Sequence, residues 1–344
     1  MNAAQGPVYV LYPRGIRTGG PEAMHQLVDS LRRQGREAYL VPRPGTAAAD
    51  RVAAYDVYDA PEAPQARDVE GAAVVTAEDA PMLLSAVRRA QPYVWWLSVD
   101  NSTRFRDERR FLNRATVTRI GRRDAARTRA AMLWHELQRR RSGETALLDR
   151  VNHLAQSQFA WSYLFSRLSV LPSKLTDYTD LSSFSDSPPV DRDRSIAYNP
   201  TKSRELMDSI RQRLPDVRYV KLENLDRRGL LDALEGVAVY LDLGNHPGKD
   251  RLPREAALCG AVTVVARRGA GAFYEDVPLG EDHKVSPVGG VVDNALTTVA
   301  RVLDDTILHR RAQDGYRQVI RGERATFDAE VARVFLRGIH GDDR

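Results

Sequence analysis

Short runs of apolar residues alternate along this chain with stretches in which apolar side chains recur every three or four positions. Residues 7–13 form the first run, long enough for a buried strand. Ala23, Met24, Leu27, Val28 and Leu31 then follow helical spacing between Pro21, which suits a first helical turn, and Gly35, which suits an end. Residues 38–41 return to strand and complete a β-α-β unit. Further strands are expected at 52–59, 72–76, 93–99 and 151–156, with a helix at 81–89 and another from Ser157 through Arg167. Beyond residue 194 the alternation restarts, with strands at 195–198, 217–222, 237–243 and 262–265. Helices are expected there at 205–214, 225–234, 255–259 and 291–302, and a last one at 323–336. Strands that alternate with helices predict an α/β fold with parallel sheets.

A length of 344 residues fits about two domains. Residues 178–194, rich in Ser, Asp and Pro, read as the linker between a domain at 1–177 and another at 195–322, with 323–344 as a terminal helix. No apolar run reaches eighteen residues, and the first six residues lack a signal-peptide pattern, so a cytoplasmic location is expected. The single cysteine, Cys259, excludes an internal disulfide or a multi-cysteine zinc site, and the seven histidines lack paired metal-ligand spacing. Neither a Walker A loop nor a Gly-x-Ser-x-Gly elbow is present.

Charge changes the picture in one place. The net charge is +5, yet between Arg104 and Arg141 thirteen arginines face four acids, a local +9. Within that segment, residues 125–141 predict a helix with Ala126, Ala130, Leu133, Trp134 and Leu137 along one side. Such a helix can lie on an anionic membrane surface, or pack on its domain and leave its arginines in water. Interleaved aromatics and recognised nucleic-acid modules are missing, so no nucleic-acid partner is expected.

Candidate chemistry gathers at strand ends. The loop 244–255 follows strand 237–243 and carries Lys249, Arg251, Arg254 and Glu255: cationic donors suited to phosphate and an acceptor suited to a ribose hydroxyl. A second glycine-bearing turn, with Gly269 and Gly271, follows strand 262–265 and can offer backbone N–H groups to a phosphate or sugar. Lys202 follows strand 195–198. Gly19 and Gly20 follow the first strand and permit close backbone approach, while Asp100 and Asn101 end strand 93–99. Each has a plainer reading, as a charged surface turn, a tight turn or a turn starter. Trp95 and Trp96 point to opposite faces of their strand and are expected in the core.

Five stretches occur in an order that carries more than any one of them: Thr18-Gly19-Gly20-Pro21-Glu22, Trp95-Trp96-Leu97-Ser98-Val99-Asp100-Asn101, Leu154-Ala155-Gln156-Ser157, Tyr198-Asn199-Pro200-Thr201-Lys202, and the loop 244–255. The set resembles the GT-B glycosyltransferases, most closely those related to glycosyltransferase family four. The resemblance implies two Rossmann-like domains facing across a cleft, with a last helix that crosses back to the first domain. It implies transfer of a sugar from a nucleotide-diphospho-sugar to the hydroxyl of a glycan, lipid-linked or small-molecule acceptor. Lys202, Lys249 and Arg254 would neutralise the leaving diphosphate, Glu255 would hold the ribose, and Gly19, Gly20, Asn101, Gly269 and Gly271 would line the nucleotide-sugar site. Asp100 is the candidate catalytic carboxylate, as acceptor base or sugar anchor. No cofactor or metal is implied, the nucleotide-sugar being a co-substrate. Residues 104–141 lie outside this pattern; a cytoplasmic location is expected, with peripheral membrane contact through 104–141 as one of the two readings of that segment. In the family this loop carries two glutamates; Glu255 matches the second, and Pro247 stands at the first. That departure supports a competing reading, an accessory protein that binds nucleotide without sugar chemistry.

Overall fold

The computed structural model describes residues 6–106, 122–185, 188 and 192–336. Part of the basic segment (107–121), five linker residues (186, 187 and 189–191) and the tail 337–344 lie outside the described residues. The chain divides into two compact units. Described residues of the first fall within 1–156, 160–175 and 328–344, and those of the second within 157–159 and 176–327.

Unit 1 is built on a six-stranded parallel sheet: β1 (Val8–Tyr12), β2 (Ala38–Pro42), β3 (Ala73–Ala77), β4 (Gln91–Trp96), β5 (Asn152–Ala155) and β6 (Ser173–Lys174), in the order β2-β1-β3-β4-β5-β6. All five residues of β1 are buried, as expected of a parallel strand covered on both faces, which is why it reads as a continuous apolar run. Helix α1 (Gly19–Arg33) connects β1 to β2 and buries Ala23, Met24, Leu27, Val28 and Leu31, the stripe its spacing predicts. Trp95 and Trp96 lie in the core, their indole N–H groups donating to the Leu175 carbonyl at 2.8 Å and to His153 Nδ1 at 3.0 Å. Two helices follow β4, α2 (Arg122–Ser142) and α3 (Glu144–Arg150), and α4 (Gln158–Leu168) follows β5.

Two expectations fail in this unit. Residues 52–59 hold a 3-10 turn at Ala53–Tyr55 instead of a strand, because Val52, Tyr55 and Tyr58 recur every three residues, the period of that turn. Tyr55 donates to the Thr18 carbonyl at 2.9 Å and Tyr58 to Glu22 at 2.9 Å, which fixes the turn against the start of α1. The helix read at 81–89 stops as a 3-10 turn at Pro81–Leu84, since the amides of Arg88, Arg89 and Ala90 donate to the Asp68 carboxylate.

Unit 2 carries a five-stranded parallel sheet of β7 (Ser195–Tyr198), β8 (Arg218–Lys221), β9 (Val239–Asp242), β10 (Val262–Ala266) and β11 (Lys284–Val285), in the order β11-β10-β9-β7-β8. Around it pack α5 (Pro200–Arg213), α6 (Arg227–Glu235), α7 (Arg251–Leu258), α8 (Val291–Asp304), α9 (Thr306–Arg311) and α10 (Asp314–Val331). Helix α5 begins five residues before the expected Glu205, because Asn199 caps it and Pro200 opens it; Ser203 breaks the early turn. Helix α7 likewise starts at Arg251, ahead of the expected Glu255. From Asp328, in the last turn of α10, the chain rejoins unit 1, where Asp328 accepts from Ser30 at 2.6 Å and the Phe335 ring packs on Tyr93 at 5.2 Å. No helix among the described residues is long and apolar enough to cross a membrane.

Candidate functional site

In each sheet the strand order reverses direction once, and the loops at the carboxyl ends of the two strands flanking that point form a natural ligand crevice. For unit 2 those strands are β7 and β9. Lys202 sits on the first turn of α5, after β7, and the loop 243–250 follows β9. A Cβ added to Gly244 would lie 2.7 Å from the Lys202 Cβ, so only glycine lets the two loops approach this closely.

Lys202 Nζ lies 2.5 Å from Asp250 and 3.4 Å from Asp242. Burial works against its charge, but the two carboxylates outweigh it and raise its pKa above the ordinary lysine value. Asp250 also accepts from His246 Nδ1 at 2.9 Å; burial disfavours its charge, yet His246 and Lys202 hold its pKa below the usual range. Asp242 accepts from the Tyr240 hydroxyl at 2.9 Å and from the Gly244 amide at 3.0 Å. Burial, followed by Asp242, pushes Tyr240 well above its ordinary value, so it stays a donor.

Asp242, His246 and Asp250 bring one ligand atom each within 4.8 Å of one another, the arrangement that can hold a metal ion among the described residues. As they stand, the Lys202 ammonium supplies the positive charge between the two carboxylates. This cluster leaves little mark in the sequence, because spacing by four across a strand end and an irregular loop matches no regular ligand pattern.

The glycine turn joins the same loop. His246 and Gly269 form a parallel bridge, and the Ala270 amide donates to the His246 carbonyl at 2.8 Å. Gly269 has φ +56°, and a Cβ there would stand 2.0 Å from that carbonyl oxygen. Gly271 lies against the His246 ring. On the same turn, Lys284 of β11 donates to the Phe273 carbonyl at 3.1 Å. Burial and then Arg267 bring its pKa down to about 8.

The remaining cations of the loop face inward. Arg254 is fully buried, donating to Asp177 at 3.0 Å and to Glu323 at 2.8 Å, and Lys249 reaches Glu323 at 3.2 Å. Arg251 is 3.9 Å from Asp177. The diphosphate-facing role read for Lys249 and Arg254 therefore competes with acids already beside them. Glu255, buried on α7, accepts from Arg227 of α6 at 2.5 Å, and Arg227 lies over the Phe184 ring. Nothing in the sequence singled out Arg227, which stands at an ordinary helix start.

In unit 1 the reversal lies between β1 and β3. Gly19 and Gly20 open α1 after β1, and Gly20 lies next to Leu97 at the end of β4. Asp100, half-buried, and Asn101, exposed, form a 3-10 turn with Val99. That turn is held by a residue sequence reasoning passed over. Glu78, just past β3, accepts the Leu97 amide at 2.8 Å and the Ser98 amide at 3.1 Å. Its burial pushes the carboxyl up to about 8 against the pull of those amides. A carboxylate at a strand's carboxyl end was the available signal, the same one that picked out Asp100.

No family model and no curated protein sequence matches the chain. Solved structures do. The sucrose-phosphate synthase from Thermosynechococcus elongatus aligns with a TM-score of 0.67 over 96% of this chain and 98% of its own, at 12% identity. HepE from Anabaena, solved in complex with UDP-glucose, gives 0.61 over 95% of this chain and 98% of its own, at 12% identity. The lipopolysaccharide outer core galactosyltransferase WaaB, in its apo form, gives 0.58 over 94% and 99%, at 8% identity. At such identities the likeness is one of fold: this chain has the two-sheet α/β architecture of the GT-B glycosyltransferases.

Proposed function

We propose that this chain is a glycosyltransferase that binds a nucleotide-diphospho-sugar in unit 2 and moves the sugar to an acceptor hydroxyl. One observation carries the reading: Lys202 and the glycine-joined loops 243–250 and 267–273 converge at the carboxyl ends of β7 and β9, where the strand order reverses. Fold likeness to sugar transferases across nearly the whole chain supports it. Lys202 and the amides of the glycine turn neutralise the diphosphate, and Glu255 with Arg227 holds the ribose. In the reaction the bond from the anomeric carbon to the diphosphate oxygen breaks, and a bond to the acceptor oxygen forms. The acceptor's proton leaves to a base, for which Asp100 is the candidate. Gly19, Gly20 and Asn101 serve the sugar and acceptor. Lys249 and Arg254 act on the donor through the loop they brace, and the reaction proceeds without a metal.

Titration calorimetry with UDP, GDP and ADP, followed by a donor-hydrolysis assay starting with UDP-glucose, tests this. Binding of one nucleoside diphosphate together with turnover of its sugar is expected. Absence of binding to all three overturns the reading. Pro247, at the place of the family's first glutamate, favours a second one, nucleotide binding without transfer, and binding with no turnover of any donor would select it.

A further inference from the structure

Helix α2 shows solvent the face that a helix resting on its own domain would hide. Ala130, Leu133, Trp134 and Leu137 stand at positions i, i+3, i+4 and i+7 and share one side. That side is turned outward: Leu133 is 66% exposed, Trp134 56% and Leu137 53%. On the other side His135, Glu136 and Arg139 are half-buried. The Arg139 side chain, paired with Glu136 at 3.2 Å, is only 12% exposed. Three large apolar side chains outward, with Glu136 and Arg139 turned inward beside a 43% exposed Met132, is the reverse of what packing on the unit rewards. The stripe therefore meets something other than water.

The charge of the helix says what. Residues 122–142 carry seven arginines against Asp124 and Glu136, a formal +5, and Arg140 and Arg141, both exposed, continue the same stripe past Leu137. A second copy of this helix would set +5 against +5. Nucleic acid would satisfy the arginines but offer the leucines no apolar medium. A bilayer with anionic headgroups satisfies both: leucine side chains enter the acyl boundary, tryptophan sits at headgroup depth, and guanidinium groups pair with lipid phosphates. We infer that α2 docks this chain on an anionic lipid surface, with Leu133, Trp134 and Leu137 inserted and Arg140 and Arg141 on the headgroups. The inference stands independently of the nucleotide site.

The test uses the full chain and vesicles of phosphatidylcholine with or without phosphatidylglycerol. Wild-type protein should sediment with the anionic vesicles at low salt, less at high salt, and not with neutral ones. The Trp134 fluorescence should shift to the blue on binding and be quenched by lipids brominated on their acyl chains. The triple variant Leu133→Ser, Trp134→Ser, Leu137→Ser should lower the bound fraction at least about tenfold while keeping the wild-type melting temperature and nucleotide affinity. Three results overturn the inference. They are no sedimentation of wild-type protein with anionic vesicles, binding unchanged in the triple variant, and a solution dimer that the triple variant abolishes, which would make a second copy the occupant.

Discussion

Arg254 and Asp177 form an ion pair at 3.0 Å in which neither side chain reaches solvent, and Glu323 takes a second guanidinium nitrogen at 2.8 Å. Burial disfavours both charges, and the opposite charges alongside prevail: Arg254 is raised and Asp177 lies below its ordinary value of 3.8. Replacing Arg254 by Met would leave buried Asp177 with only Arg251 at 3.9 Å and Glu323 with Lys249 at 3.2 Å, so unfolding should be easier by up to about 3–5 kcal/mol in a urea titration at pH 7. A depressed carboxylate gives stability that is present above its unfolded pKa and lost as pH falls through the folded value. Wild-type and Arg254→Met midpoints should therefore converge below about pH 4. Equal midpoints at pH 7 would show that the pair contributes nothing.

Under the proposed function Lys202 and Glu255 hold different parts of the donor, which makes them separable. Lys202→Ala should weaken binding of whichever nucleoside diphosphate the titrations select by about 1–3 kcal/mol and leave its parent nucleoside unaffected. Glu255→Ala should weaken the diphosphate and its nucleoside by similar amounts. Calorimetric affinities that match wild type in both variants would remove these residues from the site.

Asp100→Asn keeps shape and hydrogen bonding while removing charge. As a general base Asp100 should account for about 10²-fold or more in kcat; as an anchor for a hydroxyl, for less, partly in KM. Affinity for the selected nucleoside diphosphate should stay constant in either role. A folded variant that has lost nucleotide binding would contradict the proposed role on sugar and acceptor.

Gly269→Ala should prove costly for its size. The new methyl would meet the His246 carbonyl at 2.0 Å, at a φ of +56° that side chains resist. A loss of about 1–3 kcal/mol is expected, with weaker nucleotide binding. Gly280→Ala, with nothing within 4 Å of its added carbon, serves as the control and should melt with wild type.

Glu78 predicts a pH dependence of the opposite sign to Asp177. Its folded pKa of about 8 exceeds the ordinary 4.5, so the folded state holds a proton that the unfolded chain has released. Stability from this group is present below about 4.5 and declines as pH rises toward 8. Melting temperatures of Glu78→Gln and wild type should draw together, or cross in the variant's favour, between pH 5 and pH 8.5. A constant gap across that range would assign Glu78 no titration.

Periodicity exposed the framework because a doubly covered parallel strand must be apolar throughout; β1, β9 and β10 are read straight from it. It failed at 52–59 because short apolar spacing of three looks like a broken strand until Tyr55 and Tyr58 find their partners. Strand-end position marked Lys202 and Gly269 as candidates, and the loop past β9 marked Glu255, since each follows the end of a readable strand. The internal commitments of Lys249 and Arg254 were hidden, because Asp177 and Glu323 are 77 and 69 residues from Arg254 and no local pattern links them.

That separation has a consequence for how the protein is made. A chain emerging at about 5–20 residues per second exposes Arg254 roughly 3–14 s before Glu323. Until then the interior of unit 2 holds its arginine with one of its two acids. Unit 1 waits as well, for Asp328 to reach Ser30 and for Phe335 to reach Tyr93. Both units therefore wait for residues 323–335 before these contacts can close.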